Sequence, residues 1–465
     1  MRIQFPVLIA VVFLFLFSCK NKPNEYLPAT TVLEGQLTSA EAPLIYIDAN
    51  QTPKAPIDPS GNFVIQCTLD KPGIYPVHIG EAYFNIFLVP GDRLTVTGDV
   101  TDLGNLRFKG SHAVENNYLI AFEKLKSSTE DQDFFTFYSR NEADYIQSVN
   151  ERTQQLVAHQ QDFQKANGSF DQLFAELITD EINYDEATLM LNYPSNYEYI
   201  FPDSSLQLSD TYDSFLQNID HDDDEKLSLP SYKNFLLQYL NFEARAENND
   251  SLTPLFENKF KLISQKFQNQ KIRDLLYYEL LKEGMMTDIN GVSTVISDYT
   301  KLQQNDSYHE EIIKEYNKWK NLLPGKPSPK WTLKGFDKKQ YSSSNFNGEV
   351  LYIDIWATWC GPCLRELPSL AKLATHFKSE KGLKFISISI DDTQSEWAKM
   401  VKEKQLHGIQ LIAENGWNSD IVSDYKINGI PRFIIIGKDG NIINANAPRP
   451  SSKEIIQSLK SALQQ

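Results

Sequence analysis

The sequence has few cysteines, no excess of basic residues and no long apolar segment. Only four cysteines occur in 465 residues. The formal net charge is −16, which argues against nucleic acid or an anionic membrane surface as a partner. The apolar run at residues 7–17 is 11 residues long, whereas a membrane-spanning helix needs about 20. No other apolar run approaches that length, so no further membrane span is predicted.

The charge is distributed unevenly along the chain. Residues 325–465 carry 19 Lys and Arg against 14 Asp and Glu, which gives this part +5 and leaves −21 for the remainder. A chain of 465 residues has the length of about three domains. We therefore expect the C-terminal part to be a separate unit joined to an acidic body.

The N-terminus has the pattern of a targeting segment. Arg2 precedes the apolar run at 7–17, and the chain becomes polar directly after Ser18 and Cys19. A short positive region followed by an apolar core of about 7–15 residues is typical of a secretory signal. The small residue and cysteine after the core resemble a bacterial lipoprotein cleavage box. This resemblance implies a signal peptide at 1–18 and acylation of the Cys19 thiol, and a plain signal peptide with an incidental cysteine is the alternative.

Three segments of different character follow a polar tether at residues 19–30. From 31 to 110, short strand-like runs are separated by turn signals, which predicts an all-β domain without a visible catalytic group. From 111 to 322, apolar residues recur at helical spacing, which predicts an α-helical domain. The Pro- and Gly-containing segment 323–330 predicts a linker before the last unit, residues 331–465.

The last unit alternates strand-like and helix-like segments. Residues 350–355 are apolar apart from Asp354, which is typical of a buried central strand. A helix is predicted from Gly361 to about Phe377, and the spacing of Thr393 and Glu396 predicts a capping box at the start of another helix. The alternation predicts an α/β fold with a mixed sheet and helices on both faces.

The run Trp359-Cys360-Gly361-Pro362-Cys363 lies between the predicted central strand and the predicted helix. We expect Cys360 at the helix N-terminus, where unpaired backbone N–H groups and the helix dipole favour an anion and lower the thiol pKa. Cys363 lies about one turn further on and can attack a mixed disulfide formed on Cys360. Pro362 is tolerated in the first turn, which needs no N–H there. The pattern predicts an exposed, reactive Cys360 with Cys363 beneath it.

Two other interpretations of the cysteine pair are a zinc site and a pair of structural thiols. Zinc needs about four ligands, and no His lies at ligand spacing near the pair. Cys67 lies on a strand-like run and shares one face with apolar neighbours, which predicts a buried core residue rather than a reactive thiol. We therefore predict no metal site and favour redox chemistry at Cys360 and Cys363.

Two strings in the last third of the chain carry a family resemblance. YIDIWATWCGPCLRELP at 352–368 and GIPRFIIIGKDGNI at 429–442 resemble the thioredoxin fold of membrane-tethered TlpA/ResA-like thiol–disulfide reductases. The β-domain and the helical domain before them resemble the N-terminal part of envelope lipoproteins that carry such a module. The resemblance implies a multidomain chain whose C-terminal domain has the α/β thioredoxin fold.

The resemblance implies roles for further residues near the cysteines. Asp354, six residues before Cys360, matches the buried Asp of thioredoxin, which can take the proton of the second cysteine. Glu366 matches a Glu that tunes the thiols in ResA-like reductases. Pro431 matches a cis-proline that faces the disulfide, and the backbone of Ile430 would pair with an incoming target strand.

The same resemblance implies a function. It implies a thiol–disulfide oxidoreductase that is lipid-anchored in the cell envelope, faces the periplasm and uses no cofactor. Gly361 and Pro362 between the cysteines resemble thioredoxin, which implies a reductase, and Trp359 with these two residues would form part of the target-binding surface. Disulfide-containing extracytoplasmic proteins, apocytochrome c among them, are the implied targets, and a membrane carrier of the DsbD/CcdA kind is the implied electron donor.

Two other functions stay open from the sequence. One is peroxide reduction, although the Pro-x-x-x-Thr-x-x-Cys context of peroxidatic thiols in related folds is absent. The other is a binding or scaffold lipoprotein whose first two domains hold a partner and whose thiol pair acts as a sensor.

Overall fold

The computed structural model describes residues 26–40, 42–49, 52–130, 133–201, 206–247, 255–302 and 306–465. The predicted signal peptide, Cys19 and most of the predicted tether lie outside these residues. Within the described ranges, no helix is long and apolar enough to cross a membrane. The chain divides into two compact units. The first runs to Tyr212 and includes Ser228–Lys233, and the second comprises Asp213–Leu227 and Asn234–Gln465.

The first unit begins with two four-stranded sheets. Their strands are β1 (Ala29–Thr38), β2 (Leu44–Ile47), β3 (Lys54–Pro56), β4 (Asn62–Leu69), β5 (Gly73–Ile79), β6 (Ala82–Leu88), β7 (Arg93–Asp99) and β8 (Arg107–Gly110). The strand orders are β4-β1-β7-β8 and β3-β2-β5-β6. Alternate residues such as Phe63 and Ile65 point into a shared apolar core, as the two-residue period of a strand requires. The predicted all-β region is confirmed.

Cys67 packs against this core at the end of β4. Its side chain is half-buried rather than fully buried, and the residue is a free cysteine. Burial raises the pKa of the Cys67 thiol. The thiol is therefore less easily ionised than a free cysteine, which fits a packing role better than a reactive one.

The helical region predicted after the β-domain is confirmed. It contains α1 (Ala113–Glu130), α2 (Phe134–Tyr138), α3 (Glu142–Asn167), α4 (Gln172–Ile200), α5 (Pro230–Glu247), α6 (Leu255–Lys266), α7 (Gln270–Thr287), α8 (Ile289–Tyr299) and α9 (Asp306–Trp319). Side-chain caps define several starts: Asn141 accepts from the N–H of Asp144, and Asp171 accepts from that of Leu173. Buried aromatic side chains fill much of the space between the helices of the first unit, and the Tyr145 and Tyr193 rings stack 4.2 Å apart.

The C-terminal part contains one mixed, seven-stranded sheet of order β10-β9-β13-β12-β11-β14-β15. Its strands are β9 (Thr332–Gly335), β10 (Gln340–Ser342), β11 (Val350–Trp356), β12 (Leu383–Ser389), β13 (Ile409–Ile412), β14 (Arg432–Ile436) and β15 (Ile442–Asn444). The helices are α10 (Gly361–His376), α11 (Gln394–Lys404), α12 (Asp420–Asp424) and α13 (Ile455–Gln464). Every residue of β11 is buried, and β11 runs parallel to β12 and antiparallel to β14. The predicted α/β fold is confirmed.

Two local features differ from the sequence expectations. The segment 323–330, predicted as a linker, pairs along β15: Gly325 donates to the carbonyl of Ile442 at 2.8 Å, and the N–H of Ile442 donates to Lys326 at 2.8 Å. The unpaired backbone of an edge strand offers these bonds whatever the side chains of the neighbouring segment are. The prediction of a capping box at Thr393 is wrong: α11 begins directly after Thr393, but the Thr393 side chain makes no cap hydrogen bond.

Candidate active site

The Cys360–Cys363 pair forms a disulfide at the start of α10. Cys360 is the N-cap residue of this helix, and the backbone N–H of Cys363 donates to Cys360 Sγ at 3.1 Å. The N–H groups of a first helical turn have no partner within the helix, and the dipole there is positive. The same N–H would stabilise a thiolate on Cys360 in the reduced protein and lower its pKa. The predicted placement of the pair at a helix start is confirmed.

The expected difference in exposure between the two cysteines is wrong for the disulfide form. Cys360 is 5% exposed and Cys363 is 3% exposed. The exposed residues are the neighbours: Trp359 is 56% exposed, and Gly361 and Pro362 are also open to solvent. The sequence did not show this because residues far along the chain, at 430–431, lie beside Cys360.

The peptide bond between Ile430 and Pro431 is cis. The carbonyl oxygen of Ile430 lies 3.8 Å from Cys360 Sγ. Both residues are half-buried and directly precede β14, which is hydrogen-bonded to β11. The two adjacent strands therefore bring together the cysteine pair and the proline that are about 70 residues apart in the sequence.

Asp354 is buried within β11, and its side chain is 4% exposed. It faces Ser387 of β12 in the strand register, and Ser387 Oγ donates to Asp354 Oδ2 at 3.3 Å. The pKa of Asp354 is raised to about 7, mainly by burial; the hydrogen bond from Ser387 lowers it and the charge of Glu366 raises it. A cavity of about 240 Å³ lies beside Ser387, the residue that donates to Asp354, and His407 and Gln410 also line it.

Glu366 lies one helical turn beyond Cys363 and is buried, with 9% of its surface exposed. Its two carboxylate oxygens accept hydrogen bonds from Ser451, one from the backbone N–H at 3.0 Å and one from Oγ at 2.8 Å. These bonds fasten α10 to the loop before α13. Glu366 therefore has a structural partner in addition to its effect on Asp354.

Comparison with known proteins agrees with this geometry. Residues 323–462 match the family model described as Redoxin, so the match includes the segment that pairs with β15. The thiol–disulfide oxidoreductase ResA of Bacillus cereus is 26% identical over 145 residues, which are 31% of this chain and 82% of that protein. The C-terminal domain is a redoxin domain of the TlpA/ResA type. The chain is accordingly a thiol–disulfide oxidoreductase.

Two of the solved structures that are similar to part of this chain come from Bacteroides vulgatus. A crystal structure of a protein assigned as a thiol–disulfide oxidoreductase is 36% identical and has a TM-score of 0.29, and the match covers 30% of this chain and 98% of that one. A solution structure with the same assignment is 40% identical and has a TM-score of 0.28, with 31% of this chain and 93% of that one covered.

Two groups in the redoxin domain escaped the sequence analysis. Asp391, 3% exposed, accepts hydrogen bonds from the backbone N–H of Thr358 at 3.0 Å, from Thr358 Oγ1 at 2.6 Å and from Ser389 Oγ at 2.6 Å. These bonds hold the loop between β11 and Cys360. The signal in the sequence that could have indicated Asp391 is its position just after β12, the strand that pairs with β11.

The second missed group is Trp417, which is 42% exposed. Its ring centroid lies 6.4 Å from that of Trp359, so two exposed aromatic side chains stand beside the disulfide. Nothing in the local sequence around Trp417 indicated this pairing. Among the residues that the structure describes, no group of His, Cys, Asp and Glu side chains has the arrangement of a metal site.

The raised pKa of Asp354 predicts how the stability of the redoxin domain depends on pH. The pKa is about 7 in the folded protein, whereas an unfolded aspartate has a pKa of about 3.9. Between these values the folded chain still holds a proton that the unfolded chain has released, so the free energy of unfolding falls as the pH rises. Asp354→Asn removes that loss. We expect it to match the wild type near pH 4 and to be more stable near pH 8, by on the order of 2–4 kcal/mol.

Denaturant unfolding of the disulfide form at the two pH values measures this difference. The matched control is Asp424→Asn, which changes an exposed carboxylate on α12. If Asp354→Asn changes the free energy of unfolding by the same amount at both pH values, Asp354 is not the group that titrates.

Proposed function

We propose that the chain reduces disulfides of proteins outside the cytoplasm, with Cys360 as the nucleophile and Cys363 as the resolving thiol. The observation that carries the proposal is the hydrogen bond from the Cys363 N–H to Cys360 Sγ at the start of α10. A thiolate is the reactive form of cysteine, and this arrangement stabilises it on one sulfur of the pair only.

The reaction takes place in two exchanges of disulfide bonds. In the first, the Cys360 thiolate attacks one sulfur of the target disulfide, a bond forms between Cys360 and the target, and the other target sulfur leaves as a thiolate. In the second, Cys363 loses its proton and attacks Cys360 Sγ. The Cys360–Cys363 disulfide forms, the second target sulfur leaves as a thiolate, and two electrons have passed from the dithiol to the target.

Asp354 is the proposed acceptor of the Cys363 proton. With a pKa of about 7, the carboxyl group is ionised in a substantial fraction of molecules near neutral pH and can also release the proton again. The cavity beside Ser387 gives that proton a route to solvent. Glu366 supports the same step through its charge, which raises the pKa of Asp354.

The target is proposed to bind along the cis-proline loop. The carbonyl oxygen of Ile430 lies beside Cys360 and can accept a hydrogen bond from an extended target segment, as in strand addition. Pro431 follows Ile430 in this loop, and Trp359, Gly361 and Pro362 form the exposed surface next to Cys360.

The reducing direction is proposed from the Gly-Pro pair between the cysteines. Thioredoxin, which shares that pair, has a reduction potential of about −270 mV, whereas the oxidant DsbA has one of about −120 mV. Electrons would come from a membrane carrier of the DsbD/CcdA kind, and apocytochrome c thiols are a candidate target. The N-terminal pattern supports placement in the cell envelope, with a signal peptide at 1–18, a lipid on Cys19 and a tether to residue 30.

The proposed organisation of the rest follows the sequence analysis. Residues 31–110 form the β-domain, residues 111–322 form the helical domain, and the redoxin domain follows at 331–465 after the segment 323–330.

Single cysteine substitutions in the full chain test the proposed roles. Cys363→Ser leaves the first exchange possible and blocks the second, so we expect it to accumulate a mixed disulfide with an added protein target such as insulin. Cys360→Ser removes the nucleophile and should neither reduce insulin nor trap it. Non-reducing electrophoresis with mass spectrometry of the linked peptide measures the trapping.

The matched control is Cys67→Ser, since Cys67 packs in the β-domain. It should reduce insulin at the wild-type rate. Trapping by Cys360→Ser alone would make Cys363 the nucleophile. Equal trapping by both active-site variants would leave neither cysteine assigned as the nucleophile.

The redox equilibrium of the full chain with glutathione tests the direction of electron flow. We expect a reduction potential well below about −180 mV, because thioredoxin-like reductases lie there and protein disulfide isomerase lies near that value. Mass spectrometry after alkylation of the free thiols gives the reduced fraction at each glutathione ratio. A potential above about −180 mV would indicate an oxidase or isomerase instead.

A further inference from the structure

The last turn of α7 contacts the residues on both sides of the cis-proline bond. Arg432, directly after Pro431, donates from Nη2 to the carbonyl oxygen of Met286 at 3.1 Å. Arg432 Nη2 also donates to Asn428 Oδ1 at 3.2 Å, and the amide of Asn428 contacts the sulfur of Met286. All of these residues belong to the second compact unit.

A second bond joins the redoxin domain to the same helix end. The side-chain amide of Asn446 donates to the carbonyl oxygen of Thr287, the last residue of α7. The last four carbonyl groups of a helix have no partner within it, and a positive charge is favourable at that end. Arg432 and Asn446 therefore supply donors that the end of α7 lacks.

Arg432 is not a surface side chain that contacts the helix by chance. It is 7% exposed, and both acceptors of its Nη2 are neutral carbonyl oxygens. A buried charged group is costly unless its hydrogen bonds are made, so loss of the Met286 contact would leave the guanidinium poorly satisfied. The contact is consequently one that the folded unit is expected to keep.

The part of α7 directly before these bonds is closely packed against its neighbours. A Cβ added at Gly284 would lie 2.3 Å from the ring of Phe256 on α6 and 2.7 Å from Val292 on α8. The three helices are therefore packed as closely as a glycine allows at Gly284, which leaves little room for α7 to shift as a whole. Its last turn lies beyond Gly284, and the carbonyl groups of Met286 and Thr287 there accept the bonds from Arg432 and Asn446.

These bonds hold the cis-proline loop, which lies beside Cys360 Sγ. Arg432 pairs with Ile355 of β11 in the strand register, and Ile430 lies two residues before Arg432 and two after Asn428. An extended chain advances about 3.3 Å per residue, so both anchored residues lie within about 7 Å of Ile430 along the chain. Ile430 is the residue whose carbonyl oxygen lies 3.8 Å from Cys360 Sγ.

We propose that the last turn of α7 holds the cis-proline loop in place, with Arg432 as the positioning residue, and that the helical region thereby sets how an extended target segment pairs with Ile430. The proposal deepens the proposed function and rests on it, because it needs Ile430 to receive the target. Arg432 touches neither sulfur and is not itself a catalytic residue.

The test compares Arg432→Met with the wild type in the full chain. Loss of a hydrogen bond to a charged group predicts that the KM for insulin rises about tenfold. A small aromatic disulfide such as dithiobisnitrobenzoate needs no strand pairing, so its reduction should stay within about twofold of wild type. Arg432→Lys keeps the charge and one donor direction, so its KM for insulin should lie between those of the wild type and Arg432→Met.

Hydrogen exchange gives a readout that is independent of activity. In Arg432→Met, amides of 427–433 and of 283–289 should exchange faster together, because the bond joins both segments. Arg449→Met is the matched control, since Arg449 is exposed near α13, and it should change neither segment. Asn446→Ala removes the second bond and should loosen the same two segments to a smaller extent, so it carries the test if Arg432→Met does not fold.

Three results would overturn the proposal. Unchanged exchange in both segments would show that the Arg432–Met286 bond stabilises neither of them. Faster exchange at 427–433 alone would make Arg432 a local support of the loop. An equal loss of activity on insulin and on the small disulfide, with faster exchange throughout the chain, would reduce Arg432 to a role in folding. A wild type that does not reduce insulin would instead contradict the proposed function, and the exchange result would still test the contact.

Discussion

The N-terminus of α10 is the feature on which the account of this protein depends. The backbone N–H of Cys363 points at Cys360 Sγ, so one helix start supplies both a site for negative charge and the second thiol. The buried strand β11 places that helix start, and the Thr358–Asp391 bonds hold the loop between them. A change in the position of this loop would move the sulfur away from its donor.

The site separates two titratable functions by environment. Cys360 is held where a helix start favours a negative charge. Asp354, six residues earlier, is held where burial disfavours one, and its pKa is raised to about 7. The proposed nucleophile is thereby easier to ionise, while the carboxyl group keeps its proton to a higher pH. In the proposed mechanism, a carboxyl group with this pKa accepts the Cys363 proton near neutral pH and releases it again.

The redox site is also connected to structure beyond its own domain. The end of α7 contacts residues on both sides of Pro431, and Asn446 donates to Thr287 at the same helix end. Hydrogen bonds therefore join the redoxin domain to the end of α7 within the second unit. In the proposed function, these bonds give the helical region a physical means of affecting target binding, which a module on a free linker would not have.

The sequence predicted the parts of the site that depend on local pattern. The apolar run of β11, the turn into α10 and the Cys360–Cys363 spacing all follow from short stretches of chain, and the resemblance to the TlpA/ResA type added the cis bond at Pro431. The sequence did not predict the burial of Cys360 or the role of Asp391.

The contact of Arg432 with Met286 also escaped prediction. It joins residues that are 146 positions apart, and no local period or spacing encodes such a contact. What remained unpredictable was the long-range packing that brings distant loops onto a site whose local geometry the sequence already indicated.

The most direct test of the central claim is the pKa of each active-site thiol in the reduced full chain, measured by thiolate absorbance together with the rate of alkylation at each cysteine. We predict that the Cys360 thiol ionises with a pKa well below the value of about 8.5 for a free cysteine and is alkylated first. Two thiols that both titrate near about 8.5 and are alkylated at equal rates would contradict it.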